Sequence, residues 1–164
     1  MEQGSILVRH IHFRDALALE AFYGRLTPES RALRFMGASR GITPEQAFHF
    51  ATADGRGADG FVALERASGR IVGHICLERA RDGVEEVGVA VEDRYQRRGI
   101  GRALLQAAVA SARRRGIETL EATMLPGNTG IHRLLQHAAI PWRGERAASG
   151  AEKLTLDLAV AGVV

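Results

Sequence analysis

The sequence predicts a mixed α/β (α+β) fold, a mostly antiparallel sheet of about six to seven strands flanked by helices. Three observations carry this expectation. Apolar residues switch between a two-residue and a 3.6-residue period along the chain, turn signals separate three apolar runs in its middle, and helical stretches separate the remaining runs. A length of 164 residues, 46% apolar and 25% charged, gives a single domain over residues 1–164 with a core of its own. Fibres, disordered tails and disulfide scaffolds are excluded.

Residues Ser5 to Ile11 alternate as a first strand, and Asp15 opens an apolar-periodic helix through Leu17, Ala21, Phe22 and Leu26. Thr27 with Pro28, and Thr43 with Pro44 and Gln46, each place a capping hydroxyl before a proline at the first helical position. Two further helices start there. Asp54 to Gly60, DGRGADG, reads as a mobile surface loop. A meander follows, Phe61 to Ala67, Ile71 to Glu78 and Val84 to Val91, with turns at SGR and RDG. Gly99 to Arg115 returns to the helical period, with Gly116 as a C-cap. A strand from Ile117 to Leu125, a helix from Asn128 to Ala138 and two short strands complete the chain, the last over Lys153 to Val160.

No apolar run reaches the roughly 18 residues of a membrane span, and MEQGSILVRH lacks the apolar stretch of a signal peptide. A cytoplasmic protein without membrane contact is expected. Cys76, the single cysteine, lies in the apolar segment RIVGHICLE and reads as a small buried thiol rather than a nucleophile. The net charge is +3, and Lys153 is the only lysine among 22 basic residues. Arg94, Arg97, Arg98, Arg102, Arg113, Arg114 and Arg115 crowd between Glu92 and Gly116, so the positive charge is local. A patch this small suits a phosphorylated small molecule better than a nucleic-acid track, which also needs interleaved aromatics. Arg113 to Arg115 read equally well as a solvated helix face.

The informative stretch is VEEVGVAVEDRYQRRGIGRALL, a strand running through a turn into a helix. Gly99 and Gly101 let the backbone approach a ligand, the first helical turn presents unpaired N–H groups, and Arg97, Arg98 and Arg102 add charge. A diphosphate fits such a cradle. A Walker loop would need a Gly-Lys-Ser/Thr ending, and a dinucleotide fingerprint a small residue where Leu104 stands.

Gln96-Arg97-Arg98-Gly99-Ile100-Gly101 resembles the Gln/Arg-x-x-Gly-x-Gly/Ala signature of the GNAT superfamily of N-acetyltransferases, and the order of elements agrees over nearly the whole chain. LTPESRALRFMG, Leu26 to Gly37, is similar to a segment in the catalytic domain of bacterial Pat-type protein lysine acetyltransferases. The resemblance implies splayed central strands, acetyl-CoA as cosubstrate, no metal, and an amine acceptor that is a protein lysine or a small molecule, in a monomer or homodimer. It places the pyrophosphate on Gln96, Arg97, Arg98, Gly99, Ile100, Gly101, Arg102 and Ala103, and the pantetheine arm beside Val89, Ala90 and Val91. Asn128 matches a cofactor contact and is also a good N-cap. A bulge at Gly88 would help to part the strands.

Acetyl transfer needs the neutral amine, and a lysine of pKa about 10.4 is free base only about once in 2,500 at pH 7, which costs about 4.6 kcal/mol. A general base acting through water is therefore expected. By the resemblance this is Glu86, and because strand residues alternate, its neighbour Glu85 must face the other way. Relatives often use a tyrosine to protonate the departing thiolate; Leu135 stands at that position, leaving water, His132 or His137. That departure, with Ala139-Ile140, keeps a non-catalytic CoA-binding module as the alternative reading.

Overall fold

The computed structural model describes residues 5–159. In chain order it contains β1 (Ile6–His10), α1 (Ala16–Arg25), α2 (Pro28–Phe35), α3 (Pro44–Ala51), β2 (Ala58–Glu65), β3 (Arg70–Arg81), β4 (Val84–Val91), α4 (Ile100–Arg114), β5 (Thr119–Met124), α5 (Thr129–Gln136), β6 (Trp142–Arg146) and β7 (Glu152–Asp157). The strands form one seven-stranded sheet in the order β1-β2-β3-β4-β5-β7-β6. Every neighbouring pair is antiparallel except β4 and β5.

That exception builds the cleft. β4 and β5 run parallel and pair only over Val84, Glu85 and Glu86 against Thr119, Leu120 and Glu121. Beyond Glu86 the two strands part, so the central strands are splayed as expected. No bulge at Gly88 causes it, because pairing of β3 with β4 is continuous from Gly73↔Val91 to Arg79↔Glu85, with Cys76 opposite Gly88. The register shifts lie elsewhere, at Ala63/Leu64 and at Arg79/Arg81.

Two cores hold the sheet. On one face Leu104, Ala108 and Ala112 of α4 pack against Val72, Ile75, Leu77, Leu120 and Leu154. On the other, Leu19, Phe22 and Tyr23 of α1 pack with Ala47 of α3, Val62 and Ile71. A fully buried leucine such as Leu104 contributes about 1.5–3 kcal/mol. The helix starts stand where the capping residues put them: the Thr27 hydroxyl accepts from Ser30 N at 3.2 Å, and Thr43 and Gln46 form a reciprocal capping box.

The expected loop over Asp54 to Gly60 is shorter in the structure, since Ala58, Asp59 and Gly60 already belong to β2. The reason is tertiary. The Asp59 carboxylate is fully buried, hydrogen-bonded to the Ser111 hydroxyl of α4 and 3.5 Å from Arg115, and this network draws a polar, glycine-rich segment into the sheet. β5 and α5 are likewise shorter than their apolar periods suggested, and β7 stops at Asp157; Val160 lies outside the described residues. Among the described residues no helix is long and apolar enough to cross a membrane.

Candidate active site

Where β4 and β5 part, a cavity of about 940 Å³ opens, lined by β4 from Glu86 to Val91, by the turn into α4, and by residues of α2 and α5. The turn is shaped for an anion. Gln96 is extended, Arg97 (φ 61°) and Gly99 (φ 80°) are left-handed, and the helix begins at Ile100. Left-handed residues next to a helix start turn several N–H groups to one side, so backbone donors and the helix dipole converge on one spot. Arg97 and Arg102 line the cavity beside them.

Other residues of this stretch serve it indirectly. Arg98 lies over the Tyr95 ring, 5.5 Å from its centroid, and does not line the cavity. Ile100 is buried and packs towards Gly73, where any Cβ would come within 3.2 Å of it. Ala103 closes the first helical turn by donating its N–H to Gly99 O at 3.0 Å. Gln96 donates to Val91 O at 3.0 Å, so one carbonyl of the splayed edge is already engaged. Val89, Ala90 and Val91 line the cavity on a part of β4 that no strand covers on the β5 side.

The two glutamates of β4 separate as the pleat requires. Glu85 is 2% exposed and its carboxylate receives both arms of the Arg115 guanidinium. Glu86 is exposed and lines the cavity. Asn128 also lines it and caps α5, its Oδ1 accepting from Ile131 N at 3.4 Å. Leu135 is buried against the core and offers no proton. Of the histidines on or next to α5, His132 is turned away and held by Glu152 at 3.2 Å. His137 lines the cavity, and its Nδ1 donates to Arg133 O at 2.8 Å, with Nε2 making no hydrogen bond among the described residues. Tyr95 is a packing residue whose hydroxyl donates to Glu65 at 2.7 Å. Cys76 is buried, and burial pushes its thiol upwards, as expected of a structural cysteine.

The sequence points to the segment from Arg34 to Thr43 for acceptor choice but gives the Arg34 side chain no role of its own. Arg34 lines the cavity from α2, and its guanidinium lies against Gly88 so closely that a Cβ there would sit 2.5 Å from Cζ. A signal was present, because a glycine inside a strand marks either a bulge or a close approach. Here it marks the approach.

The residues present fit a CoA thioester: a backbone anion cradle with two arginines at one end, an uncovered strand edge along the middle, and a carboxylate at the far end. Residues 20–139 match the Acetyltransferase (GNAT) family. The chain belongs to the GNAT acetyltransferase family. Acetyl-CoA-dependent acetyl transfer comes with that membership, and the sheet is the GNAT sheet. The GNAT domain of PAT from S. lividans is similar at 27% identity over 92% of this chain and 89% of that one, with a TM-score of 0.82. A GNAT acetyltransferase of Streptococcus pneumoniae matches at 21% identity over 93% and 99%, TM-score 0.72. The yncA protein of Salmonella typhimurium, solved with its cofactor acetyl-CoA, matches at 20% over 93% and 94%, TM-score 0.73. No functionally curated protein matches this GNAT sequence. Among the described residues no cluster of three or more His, Cys, Asp or Glu side chains could hold a metal ion.

Proposed function

We propose that this chain transfers acetyl from acetyl-CoA directly to a primary amine, of a protein lysine or a small molecule, within one ternary complex. The observation that carries the reading is the separation of the two β4 glutamates, one sealed by Arg115 and the other open to the cleft. Bound acetyl-CoA supplies an activated thioester. The N–H groups around Gly99 and Gly101, with Arg97 and Arg102, hold its pyrophosphate, while Val89 to Val91 and Asn128 orient the arm. Glu86 accepts the amine proton through water as the amine nitrogen bonds to the acetyl carbon and the C–S bond breaks. The thiolate leaves near neutrality without a dedicated acid, or takes a proton from His137.

Two measurements test this. Initial rates with both substrates varied should give intersecting lines; parallel lines would indicate an acetyl-enzyme and remove the direct transfer. Calorimetry on folded Gly99→Asp should show acetyl-CoA binding lost, since a carboxylate enters the anion cradle and the left-handed backbone there disfavours a side chain. Unchanged affinity would move the pyrophosphate elsewhere.

A further inference from the structure

Arg34 has no task in the transfer just described, yet it lies beside the base. Its partners are neutral. Nη2 donates to Cys76 Sγ at 3.1 Å, the guanidinium carbon is 5.0 Å from the centre of the Phe35 ring, and Nε is buried with no partner. Burial keeps Cys76 a thiol and pushes the nearby Tyr23 up to about 12, so neither is an anion at neutral pH. Among the described residues no carboxylate lies within ion-pair distance of Arg34.

Other enclosed arginines of this chain are treated differently. Arg115 forks onto Glu85 with Asp59 beside it, and Arg25 and Arg70 share the buried Glu92. A guanidinium withdrawn from water loses its hydration and normally regains it from an anion. Arg31 also lacks an anion but donates to the carbonyls of Ser39, Gly24 and Leu26, whereas Arg34 has neither an anion nor a carbonyl among the described residues, and it borders the open cleft.

We infer that Arg34 holds a carboxylate of the acceptor, so that the preferred acceptor is a small amine with a carboxylate a few bonds away, an amino acid or a close relative. This rests on the acetyl-transfer reading above. Glu86 and Gly88 are alternate residues of β4 on one face, about 7 Å apart, and the Arg34 guanidinium covers Gly88. A proton acceptor for the amine and a planar fork for the carboxylate thus stand one small molecule apart. Leu33 and Met36, 40% and 38% exposed, border the same cleft and give an apolar side chain something to touch. A lysine within a protein carries no carboxylate so near its amine. The anions of CoA are accounted for at the other end of the cleft, on the N–H cradle.

The test compares wild-type rates with acetyl-CoA on pairs of acceptors, free amino acids against their methyl esters and amides, with a lysine-containing peptide alongside. The free acids should win by about 10- to 100-fold in kcat/KM, the worth of a charge-assisted pair. The ester amine is the less basic of each pair, so free-base supply opposes that result. Arg34→Gln should then erase the preference mainly through KM, the free acid losing about tenfold or more relative to its ester, and Arg34→Lys should restore part of it. If Arg34→Gln fails to fold, the wild-type pairs still decide. Equal rates for acid and ester, or a preference for the peptide, overturn the inference while the transfer stands. No turnover with any amine would overturn both.

Discussion

Glu85 and Glu86 are neighbours on one strand, identical in chemistry and opposite in circumstance. Glu85 lies under α4 in a buried network with Arg115, Asp59 and Ser111, whereas Glu86 stands in the open cleft with no side-chain partner among the described residues. The pleat assigns them to different faces, and the parting of β4 from β5 makes only one face accessible. A carboxylate tied to an arginine holds a helix to a sheet; the same group left unpaired beside a substrate is available to a proton. The arginines repeat the contrast, Arg115 satisfied on one face and Arg34 without an anion on the other.

Removing the two charges one at a time is the strongest way to break this comparison. Glu86→Gln should leave folding and acetyl-CoA binding nearly intact and lower the acetylation rate by about 10²- to 10⁴-fold, the worth of a general base. The deficit should shrink as pH rises and more amine arrives neutral. Glu85→Gln should do the reverse, leaving Arg115 without its partner and costing about 3–5 kcal/mol in urea unfolding, with the folded fraction active. An inactive but stable Glu85→Gln together with a fully active Glu86→Gln would exchange the two roles.

The arginines of the turn give a smaller effect. Single alanine changes at Arg97 and Arg102, which line the cavity, should weaken acetyl-CoA binding by about 0.5 to 3 kcal/mol, the range for charge-assisted bonds at a partly solvated rim. Arg98→Ala should matter least, because its guanidinium lies over Tyr95. Calorimetry at two salt concentrations measures both the affinity and its ionic share. If Arg98 carried the larger part, the cavity would be bordered differently from what its walls indicate.

What the sequence disclosed and what it hid divide along physical lines. The caps at Thr27 and Thr43, the three-strand meander and the Gln96 to Gly101 turn are set by contacts within a few residues, and they stand where local chemistry puts them. The period of two was enough to separate Glu85 from Glu86. Asp59 reads as loop because the partners that bury it, Ser111 of α4 and Arg115 at its C-cap, come some fifty residues later. Gly88 reads as a bulge because the guanidinium it accommodates belongs to α2, which no local pattern connects to β4. Long-range polar contacts of this kind leave no period and no turn signal.

The finest test lies within the Glu86 face itself, where β4 residues are open at one end and packed at the other. His74, opposite Ala90, is fully buried there, with Nδ1 2.7 Å from the Tyr23 hydroxyl and Nε2 without a partner. Burial, and then the charge of Arg34, push its pKa from 6.5 down to about 3. The folded protein therefore keeps His74 neutral while the unfolded chain takes up a proton near pH 6.5, so stability rises with pH across that window. The contribution is complete above pH 6.5 and is lost progressively as pH falls towards 3. Between pH 7 and pH 5.5 the loss from this one site is about 1 kcal/mol. That interval lies above the range where unfolded carboxylates titrate, so the depressed Asp15, Asp93 and Glu121 do not contribute to it. Urea unfolding of wild type and His74→Gln at the two pH values isolates the site, and the variant should show a pH slope smaller by that amount. An unchanged slope would mean that His74 takes up its proton as readily in the fold as in the unfolded chain, so that towards pH 5.5 a second cation would stand beside Arg34 and the unmet demand for an anion would grow.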